Sequence, residues 1–508
     1  MAGAGFKPRP IIFGVIPARG VHPASALFEL LAPLAAIVIP LAVFLSSLPP
    51  FLAASDSAEL TTAASTLGIP HPPGYPLYTL IGRAFAAVPV GDIPLRLNVM
   101  SAVIGTVAVL LVYGTVRDRT GHWPSALVAA LALAFSYHFW AQSLVAEVYT
   151  LEAGLLAALL YLASRWERTR SERILWAAFL VLGLALAHRP TAVLLVPAIA
   201  GWLAVSGAPS AKELGRAILF VLPGLALYAY LPAASAFGSG YAWNAGYLSD
   251  GTPIYPDLTS GEGLFSYITA RTFEDFSFAY SVGEQLHEST KFLGWLWQDY
   301  FGVGIVLAAV GVVYAWRTCR PFAQLTIACL LLHSWFFVNY GVGDKDQMFL
   351  PAYVIIAIWI GIGVKGLIDL AQSRAPWNPA VLAAYALAVA VPVVLFAVNH
   401  SAVTYQGSDQ VEVRAKQVMT DAPQGALIVG YWSDVTPLEY YQWVEGERPD
   451  LMLVSQWSLT SADLVRLLEN NVDDRPILLL WDPGDSLAGF TARESDAGFA
   501  LVRDEEAH

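Results

Sequence analysis

Two carboxylates three residues apart, Asp56 and Glu59, stand in Ser55-Asp56-Ser57-Ala58-Glu59, and His71-Pro72-Pro73-Gly74-Tyr75-Pro76 follows closely. On a helix that spacing puts both acids on one face. A carboxylate so placed can take the proton of a hydroxyl while its oxygen forms a new bond, which is general-base chemistry. An Asp three residues before a Glu also fits a capping box, in which side chains cover the free N–H groups of a helix start. The two readings are compatible, because the helix dipole would keep Asp56 ionised at that end. The proline-flanked loop is stiff, since proline fixes φ and restricts the residue before it, so His71 and Tyr75 are expected in a fixed setting.

Other groups could join them. Arg189 can hold a phosphate through two parallel hydrogen bonds, a fork that lysine lacks, with His188 as the weaker partner. Glu147, Tyr149, Asn339 and Asp346 supply polar contacts, and Trp243 beside Asn244 offers a ring that can stack on a sugar. Each has a plainer reading: Arg, His and Tyr anchor helices at membrane interfaces, and the Asn339 to Asp346 stretch suits a solvated loop. His138 and His333 are expected to make ordinary interhelical hydrogen bonds. Glu152 would extend a polar seam one turn from Glu147.

The elements that position these groups cross a membrane. The 508 residues are 56% hydrophobic and 13% charged, against roughly 25% charged in soluble domains. A spanning helix needs about 20 mostly apolar residues. Residues 28–399 give about eleven such segments, centred near Ala36, Gly105, Ala132, Leu156, Leu182, Val196, Leu225, Val306, Leu330, Ile358 and Ala390. Lys7, Arg9 and Arg19, then Arg117 with Arg119, Arg165 to Arg173, Lys212 with Arg216, Arg317 with Arg320, and Lys365 with Arg374 fall on one side under this count. Positive loops favour the cytoplasm. The Asp56 loop, Glu147, His188, residues 233–291, the Asn339 to Asp346 loop and the tail are therefore expected outside.

The acidity sits in that tail. From His400 on there are nineteen acids and seven Lys or Arg, which accounts for the whole net charge of −12. Ala426–Val429, Leu451–Val454 and Pro476–Trp481 read as strands, alternating with helices at Thr436–Val444 and at Ser461–Glu469, the latter opened by a Thr460 or Ser461 cap. That order predicts a partial parallel sheet. No Gly-rich phosphate loop precedes either helix, so nucleotide binding is unsupported, and no nucleic-acid partner is indicated. Cys319 and Cys329 imply no disulfide framework.

Asp56-Ser57-Ala58-Glu59-Leu60, Leu67 through Tyr78 and Arg96-Leu97-Asn98 resemble the signature of glycosyltransferase family 117, multi-span proteins of the GT-C superfamily similar to protein O-mannosyltransferases. Ala146 to Leu151, His188 to Thr191, Tyr230-Leu231-Pro232, Trp243-Asn244, Phe349-Leu350-Pro351 and Tyr440 to Asp450 extend the likeness over about residues 50–455. Ala58, where many members have Gly, and Met348, where an aromatic is usual, depart from the pattern without removing an acid. The resemblance implies a polytopic α-helical GT-C membrane protein. Its parts would be a cytoplasmic segment 1–27, a transmembrane catalytic domain 28–399 with outer loops 49–95 and 233–291, and an acidic soluble extracytoplasmic α/β domain 400–508. It also implies transfer, with inversion, of a sugar, mannose in the family's pattern, from a polyprenyl-phosphate donor to a Ser or Thr hydroxyl of an extracytoplasmic protein.

In that reaction Asp56 is the expected base, Arg189 with His188 would meet the departing lipid phosphate, and Glu59, His71 and Glu147 would orient sugar or acceptor. The acids leave a divalent metal open, but no closed ligand set is visible, and neither metal nor cofactor is expected. The rival class is a transporter or flippase of polyprenyl-linked lipid or glycan, which should carry ionisable groups at the midplane and related halves. A third reading makes the spans mere anchors for the tail. The short N-terminus and the absence of an ER-retention ending favour a bacterial inner membrane, with site and tail in the periplasm.

Overall fold

The computed structural model describes residues 23–503 apart from 239, 375–378, 405–408, 485, 486 and 488. Lys7, Arg9 and Arg19 lie outside the described residues. Seven described helices are long and apolar enough to cross a membrane: Leu27–Ser47, Ile93–Thr120, Ala211–Phe237, Val282–Thr318, Arg320–Val338, Lys345–Ser373 and Pro379–Val403. The chain is a polytopic α-helical membrane protein. The other expected centres, Ala132, Leu156, Leu182 and Val196, fall on the shorter or more polar helices Trp123–Ala134, Tyr149–Thr169, Glu172–His188 and Leu195–Val205.

The helix Leu350–Arg374 runs through the middle of the bundle, with Ala352 to Ile360 all buried. It reaches Val282–Thr318 through two glycines. A Cβ on Gly311 would sit 1.9 Å from the Trp359 carbonyl oxygen, and one on Gly363 would sit 2.0 Å from that of Leu307. Small residues let helix backbones meet where lipid supplies no hydrophobic drive. At the end expected to face the cytoplasm, Asp118 bonds Arg165 and Arg168, and Arg119 bonds Glu167 at 2.6 Å. These pairs tie Ile93–Thr120 to Tyr149–Thr169.

Among the described residues, strands lie in the segment after Phe237 and in the tail. β1 (Gly246–Tyr247) and β2 (Pro253–Ile254) form a small antiparallel ribbon in the loop after Phe237. The tail builds a five-stranded sheet from β3 (Leu427–Gly430), β4 (Met452–Ser455), β5 (Ile477–Leu479), β6 (Phe490–Ser495) and β7 (Gly498–Arg503), in the order β4-β3-β5-β7-β6. β3 is parallel to β4 and β5, as expected. The antiparallel β6–β7 pair was not read from the sequence, because Phe490–Ser495 has no buried residue and so no hydrophobic alternation. The intervening helices are Trp432–Tyr440, continued by a wider turn to Glu445, and Ser461–Asn471, capped by Thr460.

This sheet unit does not stand apart from the membrane part. Leu52 and Ala58, on either side of Ser55, are buried in one cluster with Val418, Leu438 and Tyr441, and Thr436 Oγ1 donates to the Ser55 carbonyl at 3.0 Å. The acidic tail is thereby seated on the start of the helix that carries Asp56.

Candidate active site

Asp56 opens the helix Asp56–Thr66. The hydroxyls of Thr61, Thr62, Ser65 and Thr66 bond back to carbonyls four residues earlier, which lets a polar helix sit buried. Ser55 before it has φ 59 and ψ −136, a positive-φ conformation that non-glycine residues seldom adopt. The expected capping box does not form: among the described residues no side-chain hydrogen bond caps this helix start. Glu59 reaches instead to the proline loop, accepting from the His71 backbone N–H at 2.7 Å and lying 2.5 Å from His71 Nδ1. A long-range partner has won over the local one.

The proline loop is fastened from several sides. Ile69 donates to the Tyr241 carbonyl and Trp243 donates to that of Ile69, both at 2.8 Å. Tyr230 Oη donates to Gly68 O at 2.8 Å and Tyr267 Oη to Pro70 O at 2.6 Å. Gly74, at φ +85, leaves no room for a side chain, since its Cβ would lie 2.6 Å from Leu231. The loop fixes the His71 ring with Nε2 3.9 Å from Asp56 Oδ2 and 3.3 Å from Tyr75 Oη. Burial pulls the imidazole pKa down, but the carboxylates of Glu59 and Asp56 outweigh it and raise His71 to about 9. His71 is therefore cationic at neutral pH.

These groups border a cavity of about 490 Å³. Asp56, His71, Tyr75, Tyr149, Arg189 and Trp243 line it, so the structure brings half of the sequence-derived candidates to one hollow. Asp56 is 35% exposed there, and its Oδ1 accepts a 2.8 Å hydrogen bond from Trp432 Nε1. Arg189 follows the helix Glu172–His188, donates to Glu152 at 2.6 Å and lies over the rings of Tyr149 and Phe337. It and His71 are the two cationic side chains among the cavity's lining residues.

The remaining candidates are not brought into that hollow. Glu59 is fully buried behind His71. His188 donates to the Val148 carbonyl at 2.9 Å and lines a smaller crevice with Glu152 and His333. Glu147 is half-buried, and its desolvation together with the charge of Asp56 raises its carboxyl well above the usual range. Asn244 donates to Tyr247 Oη, and Asn339 to the Trp335 carbonyl. Asp346 Oδ2 sits 3.2 Å from His138 Nε2, whose Nδ1 lies 2.5 Å from Asp299, so half-buried Asp346 braces the buried His138–Asp299 pair. His138 and His333 do make interhelical bonds, the latter to Met348 O.

Sequence reasoning missed the aromatic wall. Trp432 and Trp457 come from the tail, Phe273 and Phe276 from the short helix Arg271–Phe276, and Phe336 and Tyr340 from the end of the helix Arg320–Val338 and the loop after it. Local periodicity carries no signal for such contacts; only the tail motif Tyr440 to Asp450, close after Trp432, hints that the tail takes part. For a metal, Asp56, Glu59 and His71 bring their ligand atoms within 4.8 Å of one another. The Glu59 and His71 atoms already bond each other, so a cation would have to displace that contact.

Comparison with known proteins bears out the resemblance. Residues 56–211, which open at Asp56 and take in Glu59, His71, Glu147 and Arg189, match the protein O-mannosyl-transferase TMEM260 N-terminal domain. The chain is 28% identical over 480 residues to the mouse protein O-mannosyl-transferase TMEM260, covering 88% of this chain and 65% of that protein. It is 24% identical over 359 residues to the Dictyostelium discoideum protein of the same name, covering 63% and 42%. The chain thus spans less than two thirds of the length of either relative. Among solved structures it is similar to ArnT from Cupriavidus metallidurans bound to undecaprenyl phosphate, with TM-score 0.58, 12% identity, and 93% of this chain and 98% of that chain covered. It is also similar to the archaeal oligosaccharyltransferase AglB from Archaeoglobus fulgidus in complex with an inhibitory peptide and a dolichol-phosphate, with TM-score 0.55, 12% identity, and coverage of 95% and 75%. Residues 56–211 are therefore similar to the TMEM260 N-terminal domain family, within a chain that shares the membrane fold of ArnT and AglB.

Proposed function

We propose that this chain is a membrane glycosyltransferase that moves a sugar, mannose in the first instance, from a polyprenyl-phosphate donor to a Ser or Thr hydroxyl of an extracytoplasmic protein. The observation that carries the reading is one cavity holding an exposed carboxylate, Asp56, together with two cations, His71 and Arg189. Relatives named as protein O-mannosyl-transferases support the acceptor and the sugar. ArnT, with undecaprenyl phosphate bound, supports the donor class by analogy of fold.

The chemistry follows from the side chains. The acceptor oxygen attacks the anomeric carbon from the face opposite the leaving phosphate, the carbon–phosphate-oxygen bond breaks, and the configuration inverts. Asp56 takes the hydroxyl proton: the Trp432 N–H holds Oδ1, and Oδ2 faces His71. The departing lipid phosphate gains charge, which the Arg189 guanidinium stabilises at the lipid side of the cavity. Glu59 acts through His71, fixing the ring and its charge rather than touching substrate.

The test is incubation of the purified protein with a panel of polyprenyl-phosphate sugars and a Ser/Thr-containing protein acceptor, with lipid and protein products read by mass spectrometry. A hexose added to the acceptor, with free polyprenyl phosphate released in equal amount, supports the proposal. Release of phosphate without acceptor modification, or no use of any lipid-linked sugar, overturns it.

A further inference from the structure

A second hollow of about 470 Å³ lies in the tail, against the first. It sits at the carboxyl ends of β3 and β4, bordered by Tyr431 and Trp432 after β3 and by Gln456 and Trp457 after β4. The helices that follow these strands pack on opposite faces of the sheet: Leu438 with Ile428 on one, Leu464 and Leu468 with Leu427 and Val429 on the other. The two loops therefore diverge. In parallel sheets, ligands bind in the crevice such divergence opens beyond the strand ends.

Trp432 and Trp457 line both hollows, and Ser55, which borders this one, is followed by Asp56, which borders the other. The groove thus leads to the carboxylate. None of its lining residues is charged, although the domain around them carries −12, so no cationic side chain lines it to pair with a phosphate or a lipid head group. Leu459 and Leu464 supply an aliphatic surface suited to an apolar side chain, which offers nothing to sugar hydroxyls. Tyr431 and Trp457 are half exposed, at 52% and 50%. Gln456 lines the groove half-buried, and its Oε1 has no hydrogen-bond partner among the described residues, so a turn of this side chain would offer a free acceptor to a peptide N–H.

We infer that this groove seats an extended segment of the acceptor polypeptide flanking the residue that receives the sugar. The inference rests on the proposed transfer reaction and adds where the acceptor lies: the donor is met on the Arg189 side of the two tryptophans and the polypeptide on the other. Trp432 then has two roles, holding Asp56 and forming the gate through which the acceptor hydroxyl enters.

The test uses the full chain and a photoactivatable threonine peptide of about ten residues, long enough at roughly 3.3 Å per extended residue to pass through both hollows. Crosslinks made without donor are expected on the 431–464 segment; crosslinks confined to other surfaces overturn the inference. With donor present, Tyr431→Ala and Gln456→Ala are expected to raise the peptide KM about tenfold with little change in kcat, the mark of lost uniform binding. They should lower kcat/KM for the peptide relative to N-acetylthreonine amide by a similar factor. Equal losses on the minimal and long acceptors, or a raised donor KM in place of the peptide KM, overturn it, the latter assigning the groove to a glycan. A wild-type protein that crosslinks the peptide in the groove yet transfers no sugar removes the proposed reaction and leaves the groove as a peptide site.

Discussion

His71 and Arg189 are both cations at the cavity, but they are held in different ways, and the difference makes them separately testable. His71 keeps its proton because Glu59 and Asp56 face it; its pKa is raised from 6.5 to about 9. A folded pKa above the unfolded one means that the pair's contribution to stability is complete below about pH 6.5 and is lost as pH rises through about 9. Thermal unfolding of wild type and His71→Phe across that range should show a gap that shrinks with rising pH. A constant gap would mean that His71 is neutral in the folded protein. Arg189 spends one nitrogen on Glu152 and also lines the cavity. Arg189→Lys keeps the charge but loses the planar fork, so donor-analogue affinity is expected to fall about tenfold. An interfacial anchor would tolerate the change, because lysine also snorkels; equal affinity and turnover would remove Arg189 as the phosphate ligand.

At the scale of elements, the site is made where the Asp56 helix, the proline loop and the tail's first βα turn meet. Trp432 is the contact that joins the last of these to the first. Trp432→Phe keeps most of the ring and removes the N–H, and a hydrogen bond to a charged group is worth about 1.5–3 kcal/mol. We expect kcat to fall roughly ten- to hundredfold with the fold intact by circular dichroism. Unchanged kcat would show that Asp56 needs no such support. In the bundle, Gly363→Leu places a side chain where the Leu307 carbonyl stands, and is expected to separate the two central helices and abolish recovery of monodisperse protein. A normal elution profile and melting curve would contradict that packing. Much of this level was legible beforehand. Asp56, Glu59 and the His71 loop stood out because acids and prolines are conspicuous between apolar spans, and three tail strands were visible as short apolar runs. What was not legible depended on partners far apart in the chain: Glu59 leaving its own helix cap for His71, Asp346 turning to His138, and Trp432 reaching Asp56.

At the scale of the whole molecule, the charge bias of the loops predicts that the cavity and the tail face away from the cytoplasm. Single cysteines at Glu284 and Thr460, both exposed, should react with a membrane-impermeant maleimide from outside, and one at Lys212 only after permeabilisation. The reverse pattern would invert the topology. A transferase and a transporter of the same lipid would both hold a polyprenyl phosphate beside Arg189. Chemistry separates them. The most direct measurement is single-turnover transfer from a radiolabelled polyprenyl-phosphate mannose to a threonine peptide by purified wild type and by Asp56→Asn, which keeps the shape and the Trp432 bond and removes the base. Positioned bases contribute about 10²–10⁴-fold, so the account predicts label on the wild-type peptide and a loss of at least about a hundredfold in a correctly folded Asn variant that still binds donor. An Asn variant retaining more than about a tenth of the wild-type rate would contradict the assignment of Asp56 as the base.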